Sequence, residues 1–224
     1  MAEQMVHLLR EPAGEAEGAL ILNHGRGADE HDLYPLLDAL DPDRRLLGVT
    51  TGAPLIGIPP GGRHWYIVPR VGYPDRETFA ASYELLTAFL DGLLEARGIG
   101  WERTVIGGFS MGTVMSYSVG LGPARPSPAA ILAFSGFIPT VEGWEPDLAG
   151  RQALPVLIHH GRNDPIIEVG FGRRANEVLA GAGLEVDYVE TDVGHSLPPE
   201  LVPRARQLVE RVIAEGRQPV DTSG

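Results

Sequence analysis

Thr104-Val105-Ile106-Gly107-Gly108-Phe109-Ser110-Met111-Gly112 is an apolar run that breaks into a Gly-x-Ser-x-Gly turn and passes into a small-residue segment of helical character over 111–120. A strand, a sharp turn with serine at its apex, then a helix is the context in which this motif forms a nucleophile elbow. The serine must adopt a strained backbone conformation so that its hydroxyl stands clear of the sheet. Side chains at Gly108 or Gly112 would collide with the neighbouring strand and helix. A Gly-rich chain also produces such a pentapeptide by chance, so the reading depends on what surrounds it.

Three further segments supply that context. Leu20-Ile21-Leu22-Asn23-His24-Gly25-Arg26-Gly27-Ala28-Asp29 is an apolar strand running into a His-Gly-x-Gly turn upstream of the serine. In a serine hydrolase built this way, a backbone N–H of that turn pairs with the N–H after the nucleophile, and both aim where an oxyanion develops. The candidate donors are the N–H groups of Arg26 and Met111; the bland alternative is a Gly-rich turn closing a strand. Leu154-Pro155-Val156-Leu157-Ile158-His159-His160-Gly161-Arg162-Asn163-Asp164 is a buried-type strand with an acid just beyond its end, suited to orienting an imidazole, or simply an Asp-Pro pair opening a turn. Asp192-Val193-Gly194-His195-Ser196 reads as a loop between the last strand and the last helix. The order Ser, Asp, His is that of an α/β-hydrolase triad and differs from the orders used on other serine-hydrolase folds. Ser110, Asp164 and His195 are therefore the candidate catalytic residues.

On these residues the chain resembles the phospholipase/carboxylesterase family of α/β-hydrolases, small lidless serine esterases related to acyl-protein thioesterases. The carrying motifs are His24-Gly25-x-Gly27-Ala28-Asp29, Gly108-Phe109-Ser110-Met111-Gly112, His160-Gly161-x-x-Asp164-Pro165 and Gly194-His195, which span most of the chain. The resemblance implies a mostly parallel central sheet with helices on both faces, no large lid, no cofactor, and a monomer or homodimer. Two departures stand out: Thr50-Thr51-Gly52-Ala53-Pro54, where relatives tend to have Pro-x-Ala-Pro, and Arg26, where many carry an apolar residue.

Composition narrows the function classes. A length of 224 suits one domain, expected over 1–216, with a frayed tail at 217–224. No run of 18 apolar residues exists, and the N-terminus lacks the charged and apolar regions of a signal peptide, so a cytoplasmic protein is expected. With no cysteine there is no disulfide, thiolate nucleophile or cysteine metal site. All 18 basic residues are arginine, which excludes Schiff-base and P-loop lysines and Ser-Lys dyads. The net charge of −12 argues against nucleic acid and anionic membranes as partners, and favours neutral or cationic substrates over polyanionic ones.

Strands are expected over 6–9, 19–23, 45–50, 129–134 and 184–189, and helices over 33–40, 168–182 and at the C-terminus. Phe79, Tyr83, Leu86, Leu90, Leu93 and Leu94 form the apolar stripe of a long helix before the nucleophile strand. The Pro/Gly-rich loop over 52–75 should pass near the site mouth. Its His64 is a candidate substrate contact; Trp65 and Tyr66 either line an acyl or alcohol pocket or anchor the loop on the core. Phe137, Ile138 and Trp144 are candidates to roof that pocket. His24 is expected to buttress the oxyanion turn, and His7 to be exposed on an edge strand. His159 and His160 point to opposite faces and cannot share a metal; no metal site is expected. The function expected is hydrolysis of short- to medium-chain carboxylic esters through an acyl-enzyme. The rivals are an acyl-protein thioesterase or lysophospholipase using the same triad, and a non-catalytic binding protein on the same fold.

Overall fold

Alternation along the second strand sets up the architecture. Ala19 and Ile21 pack into one apolar core, Leu20 and Leu22 into another on the opposite face. A strand buried on both faces reads as a continuous apolar run, as Ala19–Asn23 does. The computed structural model describes residues 5–216, and the tail expected at 217–224 lies outside the described residues.

Seven strands form one sheet: β1 (Val6–Arg10), β2 (Ala19–Asn23), β3 (Leu47–Gly52), β4 (Thr104–Phe109), β5 (Ala130–Phe134), β6 (Pro155–Gly161) and β7 (Glu185–Thr191). Their order is β1-β3-β2-β4-β5-β6-β7; β1 is antiparallel to β3 and the remaining pairs are parallel. Helices α2 (Arg76–Ala96), α3 (Met111–Leu121) and α4 (Val169–Gly181) cover one face, and α1 (Tyr34–Leu40) and α5 (Val202–Glu215) the other. This is the α/β fold with helices on both faces that the sequence pattern implies. Strand β3 starts and ends two residues later than expected, because Leu47 pairs with Ala19 and Gly52 with Val6 across its two neighbours. His7 is half-buried against the Phe89 ring, 4.6 Å between centroids, rather than exposed.

Register places the loops that matter. Asn23 lies beside Gly108, Phe109 beside Phe134, Phe134 beside His159 and Gly161 beside Thr191. The parallel strands therefore end together, and the turns after β2, β4, β6 and β7 share one edge of the sheet. Between β2 and β4 the chain order reverses, which opens the crevice where such sheets bind ligands. Helix α2 is started by Asp75, whose carboxylate accepts the Thr78 N–H at 3.0 Å. Helix α3 has no polar face because every residue of it is buried. Among the described residues no helix is long and apolar enough to cross a membrane.

Candidate active site

Ser110 sits between β4 and α3 with φ 55° and ψ −116°, a left-handed conformation that a residue with a side chain rarely adopts. Its surroundings hold it there. The Ser110 N–H donates to the Phe134 carbonyl at 2.8 Å. The Thr113 hydroxyl lies 2.6 Å from the Gly108 carbonyl and 2.7 Å from the Phe134 carbonyl, and accepts the Phe134 N–H at 3.0 Å. A Cβ at Gly112 would stand 1.9 Å from the Asn23 oxygen, and one at Gly108 would stand 2.5 Å from the Gly112 carbonyl carbon. Both flanking glycines are thus required by close backbone approach, as the motif implies.

The three candidate catalytic residues meet. His195 Nε2 lies 2.9 Å from Ser110 Oγ, and His195 Nδ1 lies 2.6 Å from Asp164 Oδ2. The second carboxylate oxygen, Oδ1, accepts the N–H groups of Ile166 at 2.8 Å and Ile167 at 2.9 Å. Burial pushes the Asp164 carboxyl up, but the hydrogen bonds from His195, Ile167 and Ile166 outweigh it and hold the group below the usual carboxylate range. An ionised Asp164 requires the His195 proton on Nδ1, which leaves Nε2 free to accept from the serine hydroxyl. The Phe109 ring packs 4.8 Å from the His195 ring and fixes its plane.

Behind Asp164, His160 donates its Nε2–H to the Ile167 carbonyl at 2.7 Å and approaches Asp164 Oδ2 to 3.6 Å. Burial holds His160 below the ordinary histidine range, so it remains neutral beneath the acid turn. His159 lies on the other face, its Nε2 2.8 Å from the Thr191 hydroxyl.

The turn after β2 is braced from several sides. The Ala53 N–H donates to His24 Nε2 at 3.0 Å, so the His24 proton is on Nδ1 and donates to the Gly25 carbonyl at 2.7 Å. The Trp65 indole N–H donates to the His24 carbonyl at 3.0 Å, while the Trp65 backbone N–H donates to Met111 Sδ at 3.2 Å. Trp65 therefore ties together the two segments that carry the candidate oxyanion donors. Arg26 and Met111 both border the cleft, and neither of their backbone N–H groups has an acceptor among the described residues.

The cleft above Ser110 has a volume of about 460 Å³. Its wall is largely apolar, with Tyr66, Val68, Val71, Phe137, Ile166 and Ile167 prominent. Tyr66 lines it as one of the two sequence alternatives held, whereas Trp65 is completely enclosed and anchors the loop. His64 does not reach the cleft. It is buried, and its Nε2 lies 3.1 Å from the Ile58 carbonyl and 3.0 Å from that of Gly61, which ties the Pro/Gly-rich loop to itself. Phe137 lines the cleft, but Trp144 packs edge-on against Phe79 in the core below.

Sequence reasoning placed the loop over 52–75 near the mouth without singling out its strip Arg70-Val71-Gly72-Tyr73, and it missed the pair Ile166-Ile167 as lining. Two isoleucines directly after an Asp-Pro turn were a visible signal, since a loop seldom places such residues beside an acid without a surface to cover. For the Arg70–Tyr73 strip the signal was the Pro/Gly-rich loop itself, which did not distinguish one residue from another. Asp29, Glu30 and His31 each bring one ligand-type atom within 4.8 Å of the others. His31 is already bonded to Asp29, and Glu30 pairs with Arg63.

Known proteins resemble this chain in sequence and fold. The phospholipase/carboxylesterase family model matches residues 6–213. The chain is 28% identical over 201 residues to the putative hydrolase MhqD of Bacillus subtilis, covering 89% of this chain and 96% of that protein. It is 27% identical over 177 residues to acyl-protein thioesterase 1 of Debaryomyces hansenii, covering 74% and 75%. The crystal structure of esterase PE8 superposes with a TM-score of 0.81 at 26% identity, over 94% of this chain and 100% of that one. A family match over nearly the whole chain, on a seven-stranded sheet of this order, means that the protein belongs to the phospholipase/carboxylesterase family of α/β-hydrolases.

Proposed function

We propose that this protein is a serine carboxylesterase acting on short- to medium-chain esters through an acyl-enzyme. The observation that carries the reading is the continuous hydrogen-bond chain from Ser110 through His195 to Asp164, beside two N–H groups without acceptors. Ser110 Oγ attacks the acyl carbon as His195 Nε2 takes its proton. Asp164 keeps the imidazole in the required tautomer and stabilises the imidazolium. The tetrahedral oxyanion receives hydrogen bonds from the N–H groups of Arg26 and Met111, reinforced by the N-terminus of α3. The imidazolium then protonates the departing alcohol. Water enters, gives its proton to His195 and attacks the acyl carbon, which releases the acid and restores Ser110.

The cleft supports small esters because it opens directly to solvent, and residues 135–154 between β5 and β6 contain no helix to serve as a lid. A thioester would be cleaved by the same residues, and the apolar wall together with similarity to an acyl-protein thioesterase supports that as the second reading. Fluorophosphonate labelling with mass-spectrometric mapping tests the nucleophile. Ser110 is expected to carry the label, and Ser110→Ala to lose 4-nitrophenyl butyrate hydrolysis by about 10³-fold or more while keeping its fold. Activity within tenfold of the unsubstituted protein would refute the assignment. An optimum at acyl chains of 14–16 carbons, longer than the C2–C8 expected, would favour the thioesterase reading.

A further inference from the structure

The arginines mark out the cleft. In a chain with 30 acidic residues and 18 basic ones, a surface guanidinium easily finds a carboxylate. Among the described residues, the arginines with no carboxylate oxygen within 4.0 Å are Arg26, Arg70, Arg151 and Arg206. Two of these have structural work. Arg151 is buried and donates to the carbonyls of Gly120, Gly122, Arg125 and Asp147. Arg206 is half-buried and donates to the Ala39 carbonyl. The other two, Arg26 and Arg70, are exposed, and both line the cleft that holds Ser110.

Their remaining contacts leave donors free. Arg26 spends one N–H on the Pro59 carbonyl at 3.2 Å. The Arg70 guanidinium carbon lies over the Tyr73 ring, 3.6 Å from its centroid. The Arg70 side chain makes no hydrogen bond among the described residues, and a cation–π contact need not consume an N–H donor, so its guanidinium can still meet a carboxylate. Asp32 lines the same cleft but lies beyond 4.0 Å of either guanidinium, so it pairs with neither. It disfavours an anion on its own side. A cleft with apolar walls concentrates this local field, so the cleft need not follow the net charge of −12.

We infer that the ester taken by this cleft carries a free carboxylate, held by Arg26 and Arg70 while Ser110 attacks the ester carbonyl. The inference rests on the esterase reading of Ser110 and reverses the preference for neutral or cationic substrates that net charge suggests.

The test compares kcat/KM for matched esters within each variant, so that any loss common to both cancels. One arm places the charge on the acyl side: the mono-4-nitrophenyl ester of adipic acid against 4-nitrophenyl hexanoate. The other places it on the alcohol side: 4-acetoxybenzoate against its methyl ester. The expected result is an anionic-to-neutral ratio of about ten or more in one arm, falling about three- to tenfold in Arg26→Gln and in Arg70→Gln. The ratio should rise in Asp32→Asn and fall as salt is raised from about 0.05 to about 0.5 M. A ratio at or below one in both arms, or one that neither arginine substitution changes, overturns the inference. Rapid cleavage of the neutral esters with such a ratio would leave the esterase reading standing. Absence of any ester cleavage together with an unlabelled Ser110 would remove both.

Discussion

Trp65→Phe removes one indole N–H and part of a ring from a site with no solvent exposure. The lost N–H is the one donated to the His24 carbonyl, which has no other donor among the described residues. Leaving a buried carbonyl unpaired costs about 1–3 kcal/mol. The missing volume adds a cavity cost of about 24 cal/mol per Å³ that neighbours do not refill. The expected loss of stability is about 2–4 kcal/mol in total, read as a lower urea midpoint at unchanged slope. The backbone links of residue 65 to Met111 Sδ and Ser82 Oγ survive the substitution, so the loop stays docked. The turn carrying the Arg26 N–H slackens, however. A complete loss of one oxyanion donor is worth about 2.7–4 kcal/mol, so a partial displacement should lower kcat by about 3- to 30-fold with KM little changed. The assay is urea unfolding together with steady-state rates on a C2–C16 ester series. An unchanged midpoint combined with a shift of the optimum to longer acyl chains would refute the reasoning, because that is the behaviour of a side chain lining the pocket.

Gly112→Ala places a Cβ 1.9 Å from the Asn23 oxygen, a backbone atom that cannot move without shifting β2; the variant should lose both activity and thermal stability, and a protein active to within tenfold would contradict the close packing of the elbow. Burial pushes His159 down to about 4, so between pH 6.5 and 4 the unfolded chain binds a proton that the folded one does not. Stability should therefore fall as pH drops through that window, and the fall should be shallower in His159→Gln when thermal midpoints are compared. Asp164 is held low, so its contribution is present above its unfolded value and lost as pH falls through the folded one. Asp164→Asn should keep the fold at neutral pH yet lower kcat by about 10⁴-fold through the wrong imidazole tautomer; a loss below tenfold would argue against Asp164 as the orienting acid.

What could be read without the structure is what neighbours in sequence decide. The period of the apolar residues in α2 and the continuous apolar runs of β2 and β4 follow from burial on one face or two. The glycines around Ser110 declare a turn that no side chain would permit. The order of the candidates Ser110, Asp164 and His195 pointed to the α/β-hydrolase topology, because it matches that fold and differs from the chymotrypsin and subtilisin orders. The alternation of strands and helices then implied a parallel sheet covered on both faces.

Contacts between distant segments were not legible. Trp65 and Tyr66 are adjacent and both aromatic, yet one braces the His24 turn and the other faces the cleft. An irregular loop has no period from which to predict that difference, so tertiary packing alone assigns the two rings. His64 illustrates the same limit, since its partners at Ile58 and Gly61 depend on how the loop closes. Strand register, set by packing across the whole sheet, brings Asn23 beside Gly108 and Gly161 beside Thr191, and so brings the four turns together. The distribution of charge is the last such case. Sequence determines that the chain is acidic, but which arginines are neutralised depends on which carboxylates the fold places within reach, and the fold leaves Arg26 and Arg70 without a carboxylate partner in the cleft that holds Ser110.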